Sequence, residues 1–200
     1  MNVMATEAST EASTEASAGL SIGLPRGRAL TREDLAALPD DGHRYELLDG
    51  VLVVSPAPAM RHQRALRRLS RIVEDSCSEG LEVFFAPFDV VLADDTVMQP
   101  DLLVARIDDL TERDLPAAPV LAVEVLSPST RRVDLLLKKE RLQRAGCAHY
   151  WVVDLVDVPS VTAWTLVDGA YQEAARAEGD AELAVDAPFE VRFSPAALVG

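Results

Sequence analysis

Apolar and polar residues follow two different periods along this chain, and each switch between them marks an element. Thr31 followed by Asp34 has the spacing of a capping box and predicts a short helix through Leu38. Tyr45–Leu48 and Val51–Val54 flank Asp49-Gly50, a strong hairpin signal, and Ser55–Pro58 breaks the sheet. From Ala59 to about Glu79 the period lengthens to that of a helix. Ala65, Leu69, Ile72 and Val73 form its apolar face, and Arg61, Arg64, Arg68 and Arg71 its polar one. Short strands are then expected at Leu81–Phe85, Asp89–Leu92 and Leu102–Ala105. Pro119–Leu126 is apolar on both faces, which predicts a central strand. Ser127-Pro128-Ser129-Thr130 supplies a turn and an N-cap, and Arg131–Ala145 reads as a helix closed by Gly146. Strand patterning resumes at His149–Asp154 and Ser160–Leu166. It recurs around Tyr171, 183–185 and Phe189–Phe193. The expectation is a mixed α/β domain, a sheet carrying helices.

Residues 7–18 repeat a polar EAST unit with almost nothing to bury, so residues 1–28 are expected to form a disordered tail and 29–200 a single folded domain. A chain of 200 residues suits one such domain. No apolar run approaches the roughly 18–20 residues of a membrane helix, and no signal-peptide series opens the sequence. Cys77 and Cys147 show no metal-type spacing and imply no disulfide framework, so a reducing, cytoplasmic setting is the default expectation.

Charge sharpens this picture. A formal net charge of −14 opposes a general nucleic-acid coat protein. Yet five of the 19 basic residues fall between Arg61 and Arg71, and six more between Arg131 and Arg144. Such polarity suits an anion on one face, or simply two solvated helix faces. The first basic run spans roughly 15 Å of helix at about 1.5 Å per residue. Duplex DNA carries a charge about every 1.7 Å, so this stripe could meet several phosphates.

Glu124 carries the most chemical information, because every neighbour from Val120 to Leu126 is apolar. An ionised carboxylate in a buried strand must be paired, protonated or metal-bound. The bland alternative is an edge strand with Glu124 in water. Asp101 follows Pro100 at the head of another strand; alone, Pro-Asp is a common turn dipeptide. Together the two carboxylates form a hard oxygen set for Mg²⁺ or Mn²⁺. Such an ion polarises a phosphoryl oxygen and acidifies water. Lys138 lies in the helix after the Glu124 strand, where it either reaches the same pocket to orient water or remains a solvated charge paired with Asp134.

Several motifs in order resemble one family. Arg44-Tyr45-Glu46-Leu47-Leu48-Asp49-Gly50 is followed by Ser55-Pro56-Ala57-Pro58 with His62, then by Pro100-Asp101. Glu124-Val125-Leu126-Ser127-Pro128-Ser129-Thr130 comes next with Asp134 and Lys138, then Gly146 and Tyr150-Trp151-Val152-Val153-Asp154. From about Leu30 onward the chain resembles the Uma-type restriction endonuclease family of the PD-(D/E)XK nuclease superfamily. That resemblance implies a restriction-endonuclease-like fold, a divalent metal and hydrolysis of DNA phosphodiesters. Asp101 would be the Asp of the PD element and Glu124 the acid of the E-X-K element. Leu126 stands where that element carries lysine, so Lys138 would replace it from the helix, as this family's own pattern has it. The resemblance also suggests Glu46 as a third metal ligand, against its reading as an exposed strand residue, and the Val125 carbonyl as a further one. A homodimer is expected by analogy alone.

The sequence therefore predicts a metal-dependent DNA endonuclease. Asp101, Glu124 and Lys138 would be catalytic, Asp101, Glu124 and Glu46 would hold the metal, and Arg61, His62, Arg64, Arg68 and Arg71 would contact substrate. His62 near a helix start could be a base, a phosphate contact or an ordinary helix residue. The rival reading is a nuclease fold without activity, kept for binding or assembly. It is motivated by Leu126 and the acidic balance. A third is a structure-specific or RNA-directed hydrolase.

Overall fold

A computed structural model describes residues 24–127 and 131–200. The EAST repeat and the 128–130 part of the expected turn and N-cap lie outside them. In chain order the elements are α1 (Arg32–Ala36), β1 (Arg44–Leu48), β2 (Val51–Ser55), α2 (Met60–Ser76), β3 (Leu81–Phe85), β4 (Asp89–Ala93) and β5 (Thr96–Met98). β6 (Leu102–Arg106), β7 (Asp114–Leu115) and β8 (Leu121–Val125) follow. A π-helical segment (Val133–Lys138) then runs into α3 (Lys139–Ala145). The chain finishes with β9 (His149–Asp154), β10 (Ser160–Val167), β11 (Ala170–Glu178), β12 (Leu183–Val185) and β13 (Val191–Phe193).

Local chemistry fixes several boundaries. Thr31 and Asp34 form the capping box at α1. Asp49 and Gly50 both take positive φ, 55° and 73°, as the two-residue turn between β1 and β2 requires. Gly50 is also sterically required, since an added Cβ would stand 2.5 Å from Ala29 Cβ. Helix α2 ends three residues earlier than its pattern suggests, because Cys77 is extended and Gly80 turns left-handed into β3. At the head of the domain Leu24 packs with Leu30, Leu47 and Val97, and Arg28 pairs with Asp34.

Where one sheet was expected there are two large ones. The main sheet has the order β11-β10-β9-β8-β6-β3, with β8 parallel to β9 and the other pairs antiparallel. A second sheet has the order β2-β1-β5-β4-β7, and β12 pairs with β13. β8 is central and fully buried, as its apolar run predicts.

Alternation along β8 divides the core. Leu121, Val123 and Val125 point to the layer containing α2, where they meet Leu66, Leu69 and Val73. Ala122 and Leu126 point to the opposite layer and pack with Leu48, Met98, Leu142 and Tyr150. Glu124 shares that second face by its two-residue spacing, between the main sheet and the elements carrying β1 and α3.

Candidate active site

Three elements and one strand end bring charged side chains to a single buried point. The β6–β8 register pairs Leu102 with Val123, so Asp101, just before β6, falls opposite Glu124. β1 contributes Arg44 and Glu46 on the face that also bears Leu48. The π-helix contributes Asp134 and Lys138. Glu46 and Glu124 are 0% exposed, Lys138 1%, Asp134 2% and Asp101 3%. Glu46 is thus not an exposed strand residue, nor is Lys138 a solvated one.

The Lys138 ammonium is the hub. Its Nζ donates to Glu124 Oε1 at 3.0 Å, lies 3.0 Å from Glu46 Oε1 and stands 3.6 Å from Asp134 Oδ1. Burial alone would lower its pKa. The carboxylates of Glu124, Glu46 and Asp134 overcome that and raise it well above the ordinary value, so Lys138 stays charged. Glu46 Oε1 also accepts from the Gln99 amide at 2.7 Å.

Asp101 is held from three sides. Arg44 Nη1 donates to Oδ1 at 2.7 Å, and the Val125 amide donates to Oδ2 at 2.8 Å. His62 Nε2 lies 3.0 Å from Oδ2; an ionised carboxylate only accepts, so that nitrogen carries the proton. Burial pushes the Asp101 carboxyl upward, but His62 and Arg44 outweigh it and hold its pKa below the usual carboxylate range. Glu124 goes the other way. Burial raises its pKa, Lys138 opposes that, and Asp101, Asp134 and Glu46 push it further up, leaving it well above normal.

Four carboxylates thus face two permanent cations, Arg44 and Lys138. The cluster therefore holds more carboxyl groups than fixed cations, and the raised pKa of Glu124 is the expression of that excess. Among the described residues, Oε2 of Glu124 and Oε2 of Glu46 are buried without a hydrogen-bond partner. These hard oxygens suit Mg²⁺ or Mn²⁺ in chemistry and charge. Among the described residues no group of three His, Cys, Asp or Glu is arranged as a ligand set, and both oxygens of Asp101 are engaged by nitrogen donors.

The π-helix sets the reach of Lys138. Such segments are rare and favour functional positions. Here the Asp134 carbonyl accepts from the Tyr150 hydroxyl at 2.9 Å, while Leu142, one turn beyond Lys138, anchors α3 in the apolar layer. Leu126, at the usual lysine position, is buried in that same layer.

The structure places the other candidates on two surfaces. His62 shares a helix face with Leu66, Leu69 and Val73, which carries it inward to Asp101. Arg61, Arg64 and Arg71 project into solvent, and Arg68 is half-buried with Nη1 3.5 Å from the Ala197 carbonyl. Arg44 has no assigned role in the sequence reading. Its signal was the two-residue spacing to Glu46 on one strand face. A cavity of about 320 Å³ is lined by Arg32, Tyr45, Asp89 and Gln99 among others, and none of Asp101, Glu124 and Lys138 lines it.

A mixed sheet presenting carboxylates at its strand ends, with a lysine supplied by the following helix, defines a nuclease-like α/β fold. The pattern of the family described as "Uma2: Putative restriction endonuclease" matches residues 32–198, and the chain belongs to that family. Among solved structures it is similar to "a putative nuclease belonging to DUF820" from Anabaena variabilis, with a TM-score of 0.67 and 17% identity. The match covers 85% of this chain and 97% of that one, and at this identity the likeness is one of fold. No curated protein sequence matches the chain. Among the described residues no helix is long and apolar enough to cross a membrane.

Proposed function

We propose that the chain is a divalent-metal-dependent endonuclease that hydrolyses DNA phosphodiester bonds at the Asp101–Glu124–Lys138 cluster. The observation that carries this reading is the buried excess of acid: four carboxyl groups around two cations, with one oxygen each on Glu46 and Glu124 that accepts no hydrogen bond among the described residues, although Arg44 Nε stands 3.7 Å from that of Glu46. Uncompensated buried charge costs several kcal/mol per ion, on the order found for desolvated groups generally. A protein retains it where a ligand or proton is to be taken up.

Glu124, Glu46 and Asp101 would hold Mg²⁺ or Mn²⁺, with Asp101 released from Arg44 or His62. When bound, the cation supplies Lewis acidity toward a phosphoryl oxygen and lowers the pKa of water. Lys138 holds a fixed positive charge over Glu124 and Glu46, where it orients a nucleophilic water and offsets charge developing on phosphate. Arg44 and His62 are the least buried members, with side chains 21% and 13% exposed. They form the mouth through which phosphate would enter.

A second reading is favoured by one observation. Asp101 is saturated by Arg44, His62 and the Val125 amide, the arrangement expected if the fold is kept as a binding module without turnover. Calorimetric titration with Mn²⁺ and nicking of supercoiled plasmid, on the native chain and Glu124→Gln, separate the two. Native-specific Mn²⁺ binding with nicking supports the nuclease. Binding without nicking of DNA or RNA supports the module, and equal Mn²⁺ binding by both proteins removes the metal site.

A further inference from the structure

Phe85 is the one exposed phenylalanine of the chain's five, at 56%. A single exposed apolar residue is ordinary; its place is what matters here. Leu81 and Val83 pack into the α2-side core, while Phe84 turns to the opposite face and stacks on Phe88. Alternation therefore sends Phe85 to the α2 side of the sheet. Its register partner is Leu102, the residue after Asp101, and the next amide, Ala86, donates to the Asp101 carbonyl at 3.2 Å. From the other side, the first turn of α2 carries His62 onto Asp101 and leaves Met60 66% exposed.

The surroundings indicate what would cover this ring. Arg61, Arg64, Arg67, Arg68 and Arg71 run along α2 from the same end. Among the described residues none of them forms an ion pair, in a chain of net charge −14 with 33 acidic residues. In so acidic a protein a solvated row of arginines is the region toward which a polyanion is steered. An exposed flat ring and a row of cations without ion-pair partners, both starting from the Asp101 end, call for flat apolar faces alternating with anions, which is the chemistry of a nucleotide strand.

We propose that Phe85, assisted by Met60, stacks on a nucleobase next to the phosphate at the carboxylate cluster and so acts as a positioning residue for the strand. This rests on the nuclease reading and adds to it the contact that sets where along a strand the phosphate is presented.

The test uses the full chain in EDTA, so that no cleavage occurs, and fluorescein-labelled single- and double-stranded DNA oligonucleotides read by anisotropy. Phe85→Ala weakens binding about five- to hundred-fold, the range of one lost base stack. Phe85→Trp restores affinity, and its new indole emission is quenched by DNA. An abasic site at the stacked position weakens the native chain and leaves Phe85→Ala unaffected, a non-additivity that a fold defect would not give. Binding by Phe85→Ala within about threefold of native at matched salt overturns the proposal, as does an unquenched Phe85→Trp. If the native chain binds no oligonucleotide either in EDTA or with Ca²⁺ in place of Mg²⁺, the nuclease reading fails and this inference falls with it. If DNA binds and only the Phe85 variants are silent, the inference alone fails.

Discussion

Replacing Lys138 with methionine tests the charge balance of the cluster directly, without reference to turnover. The side chain is 1% exposed and its ammonium contacts Glu124 and Glu46 at 3.0 Å and Asp134 at 3.6 Å. Methionine fills similar space but takes away the ammonium these carboxyl groups share, leaving Arg44 as the remaining fixed cation of the cluster among the described residues. Removing one partner of a buried ionic group costs about 3–5 kcal/mol. In a chain of this size each kcal/mol shifts the melting temperature by roughly 2–4 °C, so a fall of about 6–20 °C is expected. Glu124→Gln replaces the carboxyl that burial and its acidic neighbours disfavour as an anion, and leaves Lys138 paired with Glu46 and Asp134. Its cost should stay near that of one net hydrogen bond, about 1 kcal/mol. Thermal and urea melts followed by circular dichroism at neutral pH in EDTA give both numbers. An equal or larger loss for Glu124→Gln would refute the argument, because the cluster would then be short of negative charge rather than overfull.

Four further outcomes rest on the same structure. Glu124 has a raised folded pKa, so the folded state binds its proton more tightly than the unfolded chain. Stability should therefore decline as pH rises from about 4.3, the unfolded value, to the higher folded one. Glu124→Gln removes this decline from a urea-midpoint series. Asp101 has a lowered folded pKa, so its contribution is present above about 3.9 and lost as pH falls below it; Asp101→Asn should flatten that acid limb. Gly50→Ala forces a Cβ against Ala29 at a positive φ and should cost about 1–3 kcal/mol in urea unfolding; a neutral result would mean that the turn can move away. Arg64→Ala and Arg71→Ala should each reduce the slope of log DNA affinity against log salt by about 0.9, and unchanged slopes would take the α2 stripe out of the interface.

Strong periodicity made most of the fold legible. The Asp49-Gly50 hairpin, helix α2 and the uniformly apolar β8 follow from local chemistry that the tertiary structure reinforces. β5 and β7 did not show themselves. Three residues after Asp94-Asp95 and two beside Glu112-Arg113 are too short to establish a period, and partners distant in sequence define them. The division into two sheets was hidden for the same reason. At the candidate site, Glu124 was conspicuous as one acid in an apolar strand. Arg44 was not, because an arginine at the head of an alternating strand looks like any exposed end. His62 was ambiguous until the face it shares with Leu66, Leu69 and Val73 turned it toward Asp101. The π winding left no mark in the pattern, since Val133–Lys138 satisfies ordinary helical spacing.

That winding stores one residue of slack between the Glu124 strand and helix α3. An α-helix advances about 100° per residue, so excising a single position from Leu135 to Leu137 would let the turn close to regular pitch while Leu142 stays anchored. Everything upstream, Asp134 included, would then rotate by about that angle relative to the ammonium. A one-codon loss could thus dismantle the ion cluster while leaving each of its members in the gene, a lesion that residue-by-residue inspection of the cluster would pass over.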